Sequence, residues 1–180
     1  MRAPRSWAVP LVALLLATGG CGGSDDKGGT DVDTPRDELA ARPSYEQAER
    51  SYEELLPRVV AALARVAPDV AWETAPPVKG TTTQCRGELA DVEGARRSDY
   101  GTGGAGAIPD GDWARAVTAV REVVEPEGFE EYAVIADEPG RHDVSFYGPH
   151  GAELVLNGRR STVVTMYGGC FLTGDAAARG

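Results

Sequence analysis

Residues 132–167 alternate apolar with other side chains at a period of two, and this pattern constrains the fold more than any other feature of the chain. Because successive side chains of a strand point to opposite faces, such alternation is typical of half-buried β-strands. Short turns interrupt the pattern, and the last of them, Asn157-Gly158, is a strong hairpin signal. The segment therefore predicts an antiparallel meander of four strands, of which the last covers Ser161–Tyr167.

A first helix is predicted to begin at Ser44, which has the spacing of a capping box with Gln47. Apolar residues follow at helical spacing as far as Val66. Pro57 interrupts this face. We expect it to kink the helix or split it in two, because proline lacks a backbone donor and its ring clashes one turn back.

A second helix is predicted to start where Asp110 or Asp112 can cap it, and to stop at Pro126. Its apolar positions recur at helical spacing, and the expected buried face consists of Trp113, Ala116, Val117, Val120 and Val124. Because amphipathic helices need an apolar surface to pack on, we expect both helices to cover one face of the sheet.

The other segments carry weaker signals. Residues 69–74 alternate as a strand would, residues 75–80 indicate a turn, and residues 81–89 predict a short strand that contains Cys85. Residues 91–109 are interpreted as a loop. The predicted fold class is α+β, a two-layer sandwich in which an antiparallel sheet of about four to six strands carries two helices on one face.

The first residues have the layout of a secretory signal peptide. Arg2 and Arg5 supply a positive start, and an apolar stretch from about Trp7 to Ala17 follows. This stretch is shorter than the ~20 apolar residues that a membrane-spanning helix needs. The pattern therefore predicts export across the membrane.

Small residues directly precede Cys21, and this order resembles the lipobox of bacterial lipoproteins. The resemblance implies that a diacylglycerol is attached to the Cys21 sulfur and that the chain is cleaved before Cys21. Thr18 departs from the lipobox, which usually has leucine at that position. Two acyl chains give stable anchoring, since each buried methylene contributes about 0.8 kcal/mol. The alternatives are an ordinary signal peptide cut nearby and an uncleaved anchor.

These features divide the chain into three parts. Residues 1–20 are the predicted lipoprotein signal peptide, residues 21–43 a flexible tether, and residues 44–180 a single α+β domain. The tether has few large apolar residues and many glycine, aspartate and proline residues. Such a segment cannot bury enough surface to offset the entropy lost on ordering it.

Cys85 and Cys170 are the remaining cysteines once Cys21 carries lipid. In an oxidising compartment an even number of thiols favours pairing, so we expect a disulfide, with two separate buried thiols as the alternative. A loop of this length would stabilise the fold by roughly 4 to 5 kcal/mol in the chain-entropy model. With only His142 and His150 as further ligands, no metal site and no cofactor are expected.

The net charge of −10 at pH 7 argues against nucleic acid as a partner and against an electrostatic grip on anionic lipid. The lipid on Cys21 is therefore the expected membrane contact. We expect the protein at the cell membrane, anchored by lipid on the extracytoplasmic face.

Gly101–Gly106 spells G-x-G-x-x-G. A dinucleotide fingerprint follows an apolar strand and opens a helix, whereas this motif follows "GARRSDY" and precedes Ile108-Pro109. We interpret it as a flexible surface loop, which could still act as a binding lid.

Several titratable residues are candidate sites. His142 and His150 could act as general bases, although solvated histidines in turns explain them better. Asp110 with Asp112, and Asp137 with Glu138, are carboxylate pairs that could bind calcium or supply an acid and a base, but capping explains the first pair better. The dibasic pairs Arg96-Arg97 and Arg159-Arg160 could bind a phosphate or a carboxylate.

Three stretches resemble the LppA-like lipoproteins of actinobacteria. They are "CRGELADVEGARRSDY" from Cys85, "IPDGDWARAV" from Ile108, and "DEPGRHDVSFYGPHGAELVL" from Asp137 with a later "GGC". The resemblance covers most of residues 44–172. It implies placement in the envelope and a fold, and it supplies no catalytic residues.

These observations predict a non-catalytic envelope module that binds a protein, a lipid or a wall component. The alternative is a small cell-envelope hydrolase that uses His150 or a carboxylate pair. A third possibility is a purely structural or assembly role.

Overall fold

The computed structural model describes residues 34–179, so Cys21 and the predicted signal peptide lie outside the described residues. Four helices are found in this range: α1 Pro35–Ala40, α2 Tyr45–Val66, α3 Asp110–Val124 and α4 Gly174–Ala177. The eight strands are β1 Ala71–Trp72, β2 Val78–Thr83, β3 Ala95–Ala105, β4 Glu131–Glu138, β5 Arg141–Tyr147, β6 Glu153–Gly158, β7 Thr162–Tyr167 and β8 Phe171–Leu172.

The strands form one antiparallel sheet in the order β1-β3-β7-β6-β5-β4, with β2 and β8 also paired to β3. The run β4-β5-β6-β7 is the predicted meander. Its inward positions are buried on consecutive strands: Val144, Phe146, Leu154, Leu156, Val164 and Met166. The period-two alternation therefore separates the sheet into an inner face that forms the core and an outer face.

Helices α2 and α3 pack on the inner face and against each other. Ser44 caps α2 as predicted: its hydroxyl accepts from the Gln47 backbone, and the Gln47 side chain accepts from the Ser44 backbone. Pro57 is exposed and lies inside one continuous helix, so it does not split α2. The predicted α+β class, with two helices on one face, is confirmed.

The largest difference from the sequence prediction is β3, since residues 91–109 were expected to form a loop. The 11-residue strand lies inside the sheet and pairs with β1, β2 and β8 as well as β7. Glycine is required where neighbours come close: a Cβ on Gly103 would lie 2.3 Å from the Thr162 carbonyl oxygen. This strand and its partners raise the sheet to eight strands, above the predicted four to six.

Two boundaries also differ from the prediction. Strand β2 starts at Val78, inside the predicted turn, and ends before Cys85, which lies in the loop that follows. Helix α1 lies within the predicted tether, and Leu39 is buried there in a small cluster with Cys85, Ala95, Cys170, Leu172 and Ala176. The tether prediction is therefore wrong for residues 35–40, because one buried leucine and a capping box at Thr34 suffice to order them.

Candidate functional site

The outer face of the sheet lies opposite α2 and α3, and we call it the open face. It consists of the outward side chains of β3, β4, β5, β6 and β7. Large side chains that remain exposed there include Tyr147 at 43%, Tyr167 at 38% and Val163 at 39%. Isolated exposed apolar residues are common, but a group of them on one face of a sheet is a candidate contact surface.

One line of residues crosses the open face over five strands. Tyr147 pairs with Glu131 on one side and with Glu153 on the other, and Tyr167 pairs with Glu153 and with Asp99. Directly paired residues on neighbouring antiparallel strands share a face. The five side chains therefore alternate acid, tyrosine, acid, tyrosine, acid, and we call them the tyrosine–acid row.

A line of smaller residues runs beside this row. The register joins, in order across the same five strands, Ala133, Ser145, Val155, Thr165 and Gly101. None of these side chains is as tall as tyrosine, so the tyrosine–acid row stands above a low strip.

The strip ends in a shallow trough floored by Gly101 and Gly103, with a volume of about 590 Å³. Val78 and Val163, each paired with one of these glycines, line its sides. The Gly101–Gly106 motif is therefore neither a flexible loop nor a lid, as the sequence had suggested. Residues 101–105 belong to β3, and Gly101 and Gly103 leave two of its open-face positions without a side chain.

On the side of the tyrosine–acid row opposite the low strip lies a cleft of about 580 Å³ beside the Cys85–Cys170 disulfide, whose Cα atoms are 5.6 Å apart. Glu153 and Tyr167 line both the row and this cleft. The remaining polar side chains of the cleft are Arg86, Arg97 and His150.

Arg97, from one of the two predicted dibasic pairs, is mostly buried in this cleft. Its Nη2 donates to Asp99 Oδ1 at 3.1 Å, and its Nε is buried with no acceptor among the described residues. Arg97 thus partly neutralises the Asp99 end of the row. The other dibasic pair, Arg159-Arg160, is exposed at the β6–β7 hairpin tip.

His150 lies in a one-turn 3-10 segment, Pro149–Gly151, with its φ at 60° in the left-handed region. Its ring packs edge to face against Phe171 at 5.4 Å. Burial, and to a lesser extent the charge of Arg42, lowers the pKa of His150 below its ordinary value. His150 is therefore a neutral group at pH 7 on the rim of the cleft, and no described side chain hydrogen-bonds its ring.

His142 differs from the sequence expectation of a solvated histidine, because it is 5% exposed. Its Nε2 lies 2.9 Å from Asp110 Oδ1 and its Nδ1 lies 2.7 Å from Asp137 Oδ1. Its ring stacks on Trp113 at 4.7 Å. Burial alone would lower the pKa of His142, but the two carboxylate hydrogen bonds outweigh it and raise the pKa above the ordinary value.

The predicted cap of α3 is also corrected by this cluster. The N-cap position is Pro109, which has no side-chain bond, and Asp110 is the first helical residue. Asp110 Oδ1 instead accepts from His142 and from the Gly140 backbone, 3.0 Å away in the β4–β5 turn. Since both ring nitrogens of His142 are bound, the cluster joins α3 to the β4–β5 hairpin.

Trp72 is half-buried and lines a separate groove of about 720 Å³ between α2 and the β1–β2 segment. Pro57, Val60 and Pro76 are among its mostly apolar lining residues. Trp113, by contrast, is buried in the core, on the apolar face that was predicted for α3.

Sequence reasoning did not identify Tyr147 and Tyr167 as site residues. The signal was present, because both alternate with buried Phe146 and Met166 along their strands. Alternation tells which residues share a face, but the choice of the face that helices cover is made by tertiary packing.

Within residues 34–179, no group of three or more histidine, cysteine or acidic side chains is arranged to hold a metal ion. The helices in the same range are all too short or too polar to cross a membrane.

One family model matches the chain. The model of the LppA family, described as a lipoprotein confined to pathogenic Mycobacterium, matches residues 23–174. No curated protein matches the chain.

Two solved structures are similar to the chain. The crystal structure of LppA from Mycobacterium tuberculosis, a candidate lipoprotein, has a TM-score of 0.56 and 19% identity over 78% of this chain and 85% of that chain. A DUF4853 family protein from Actinomyces odontolyticus has a TM-score of 0.49 and 15% identity over 76% of this chain and 73% of that chain. At such identities the LppA structure supports the fold alone.

Proposed function

Because the chain belongs to the LppA family of lipoproteins, we propose that it is a lipid-anchored, non-catalytic binding module at the extracytoplasmic face of the cell membrane. In this proposal the lipid on Cys21 holds the protein at the membrane. The folded domain binds a component of the envelope.

The observation that carries the binding role is the open face. One side of the sheet is covered by α2 and α3, whereas the other side leaves Tyr147 and Tyr167 exposed on either side of Glu153 in the tyrosine–acid row. Tyrosine combines a large apolar ring with a polar tip, which makes it frequent in recognition surfaces. A protein that had no partner here would gain solubility from polar residues at these two positions.

The non-catalytic part of the proposal is supported by the two histidines. Both ring nitrogens of His142 are bound by carboxylates, and His150 has no hydrogen-bonded partner among the described side chains. A general base needs a nucleophile or a second titrating group in reach and a third group that orients it.

The experiment is a pull-down of the purified full chain on isolated cell-wall material from which lipids have been extracted, so that the lipid anchor cannot contribute. The wild-type chain should sediment with the wall material, and a Tyr147→Ala, Tyr167→Ala double variant should remain in solution. Tyr132→Ala is the matched control, since Tyr132 is exposed to 45% but points to the inner side of the sheet, where its ring stacks on Phe146.

Equal sedimentation of the wild type and the double variant would contradict the open face as the binding surface. Failure of the wild-type chain to sediment would contradict binding to the wall altogether. Thermal melting of each variant separates lost binding from lost folding.

A further inference from the structure

The chemistry of the tyrosine–acid row indicates what kind of molecule the open face binds. We propose that it binds an extended, uncharged polysaccharide that crosses the strands along this row. The inference rests on the proposed function, in which the open face is the binding surface, and it names the class of ligand.

The first argument is spacing. Tyr147 and Tyr167 lie two strands apart, which corresponds to about 10 Å across the sheet. One strand spacing is close to the length of a single hexose unit in an extended chain. Sugars stacked on the two tyrosines would therefore be alternate units, with the unit between them above Glu153.

The second argument is the pairing of functional groups. The C–H faces of a sugar ring are weakly positive and stack on the negative face of a tyrosine ring. Ionised carboxylates only accept hydrogen bonds, and sugar hydroxyls donate them. An alternation of rings and carboxylates thus matches the two surfaces of a polysaccharide, its C–H faces and its hydroxyl edges.

The third argument concerns shape. The strip of small side chains from Ala133 to Thr165 lies directly beside the row, and the glycine trough continues it. A polymer about as wide as a sugar ring can therefore lie flat against the tyrosines without meeting a tall side chain.

The composition of the row also weighs against other partners. Aspartate and glutamate are depleted in the cores of protein interfaces, whereas here they separate the two tyrosines. An anionic lipid or polymer would be repelled by the carboxylates and by the net charge of −10. A basic polymer gains less than the count of acids suggests, because Asp99 is already paired with Arg97.

Binding should be measured by isothermal titration of the full chain, purified in mild detergent, with a soluble β-glucan and a soluble arabinogalactan. At least one probe should bind, and Tyr147→Ala and Tyr167→Ala should each weaken it about tenfold or more. Tyr132→Ala should bind within about twofold of the wild type.

A second variant guards against loss of folding. Gly101→Tyr places a tall side chain on the low strip beside the glycine trough, where a Cβ meets no atom within 4 Å, so it should preserve the strand. It should weaken binding because it blocks the low strip. Glu153→Gln should weaken binding without making it depend on salt, since the partner is uncharged.

The wall pull-down distinguishes this inference from the proposed function. Periodate cleaves the vicinal diols of sugar rings, so the wild-type chain should no longer sediment with periodate-treated wall material. It should still sediment with protease-treated wall material. Retention after periodate and loss after protease would overturn the polysaccharide and leave the open face as a protein-binding surface. Salt-sensitive binding of a lysine-rich peptide that displaces the chain from the wall would overturn it in favour of a basic partner.

Discussion

The Asp110–His142–Asp137 cluster makes the stability of the protein depend on pH. The pKa of His142 is raised above its unfolded value of about 6.5, so its contribution is complete below that pH and is lost as pH rises through the folded pKa. The pKa of Asp110 is lowered, first by its hydrogen bond with His142, so its contribution is lost as pH falls through the folded pKa. The cluster therefore stabilises the fold most between about pH 4 and 6.5.

We expect His142→Gln to lower the free energy of unfolding by about 1–3 kcal/mol at pH 6, since buried charged hydrogen bonds are lost. The difference from the wild type should shrink between pH 6 and pH 9, because the contribution of His142 is lost as pH rises through its raised folded pKa. Urea denaturation of the wild type and the variant at pH 6 and pH 9 measures this difference in the free energy of unfolding.

His150→Gln is the matched control for this experiment. Burial is the main cause that lowers the pKa of His150. The contribution of His150 to stability therefore increases as pH rises, whereas that of His142 decreases. A His142→Gln deficit that does not change between pH 6 and pH 9 would show that the cluster acts as a neutral hydrogen-bond network.

At the scale of elements, the segments with strong periodicity are the ones that sequence could predict. The meander from β4 to β7 and the apolar faces of α2 and α3 follow from side-chain spacing alone, because each buries one face. The same alternation tells which residues share a face of the sheet, but it does not tell which of the two faces the helices cover.

Strand β3 could not be predicted in this way. Its sequence, "ARRSDYGTGGA", is rich in charge and glycine, which are depleted in strands. It is a strand because neighbours on both sides supply backbone partners and because Gly103 and Gly104 allow them to come close. That information lies in β1, β2 and β7, not in the segment itself. The low strip and glycine trough of the candidate site were missed for the same reason.

Helix α1 extends the folded domain toward the N-terminus, beyond the predicted start at residue 44. Leu39 is 1% exposed and packs beside the disulfide, although it lies in the segment predicted as a tether. We expect Leu39→Ala to lower the free energy of unfolding by about 2–5 kcal/mol, as for other buried leucines. Urea denaturation is the measurement.

Val78→Ala provides the control for α1, since Val78 is 69% exposed and its truncation should change stability by less than about 0.5 kcal/mol. If Leu39→Ala were equally silent, α1 would contribute nothing to the stability of the fold, and the domain would begin at α2.

On the scale of the whole molecule, the proposed anchor and the proposed binding surface belong to different parts of the chain. Cys21 precedes the first described residue, Thr34, whereas the tyrosine–acid row lies between Asp99 and Tyr167 on β3 to β7. In the proposed function, the lipid on Cys21 and not the folded domain supplies the membrane affinity.

This separation predicts two independent outcomes for Cys21→Ala. The variant should move from the membrane to the soluble fraction, because loss of the sulfur removes the site of the acyl chains, and it should still sediment with delipidated wall material as the wild-type chain does. Fractionation followed by the wall pull-down measures both outcomes in one preparation. Tyr147→Ala is the reciprocal control, which should stay in the membrane fraction and no longer bind the wall material.

A Cys21→Ala chain that remains in carbonate-washed membranes would identify a different anchor. A released chain that no longer binds the wall would show that the lipid and the open face act as one site, because the affinity of the open face alone would then be too weak to hold the polymer.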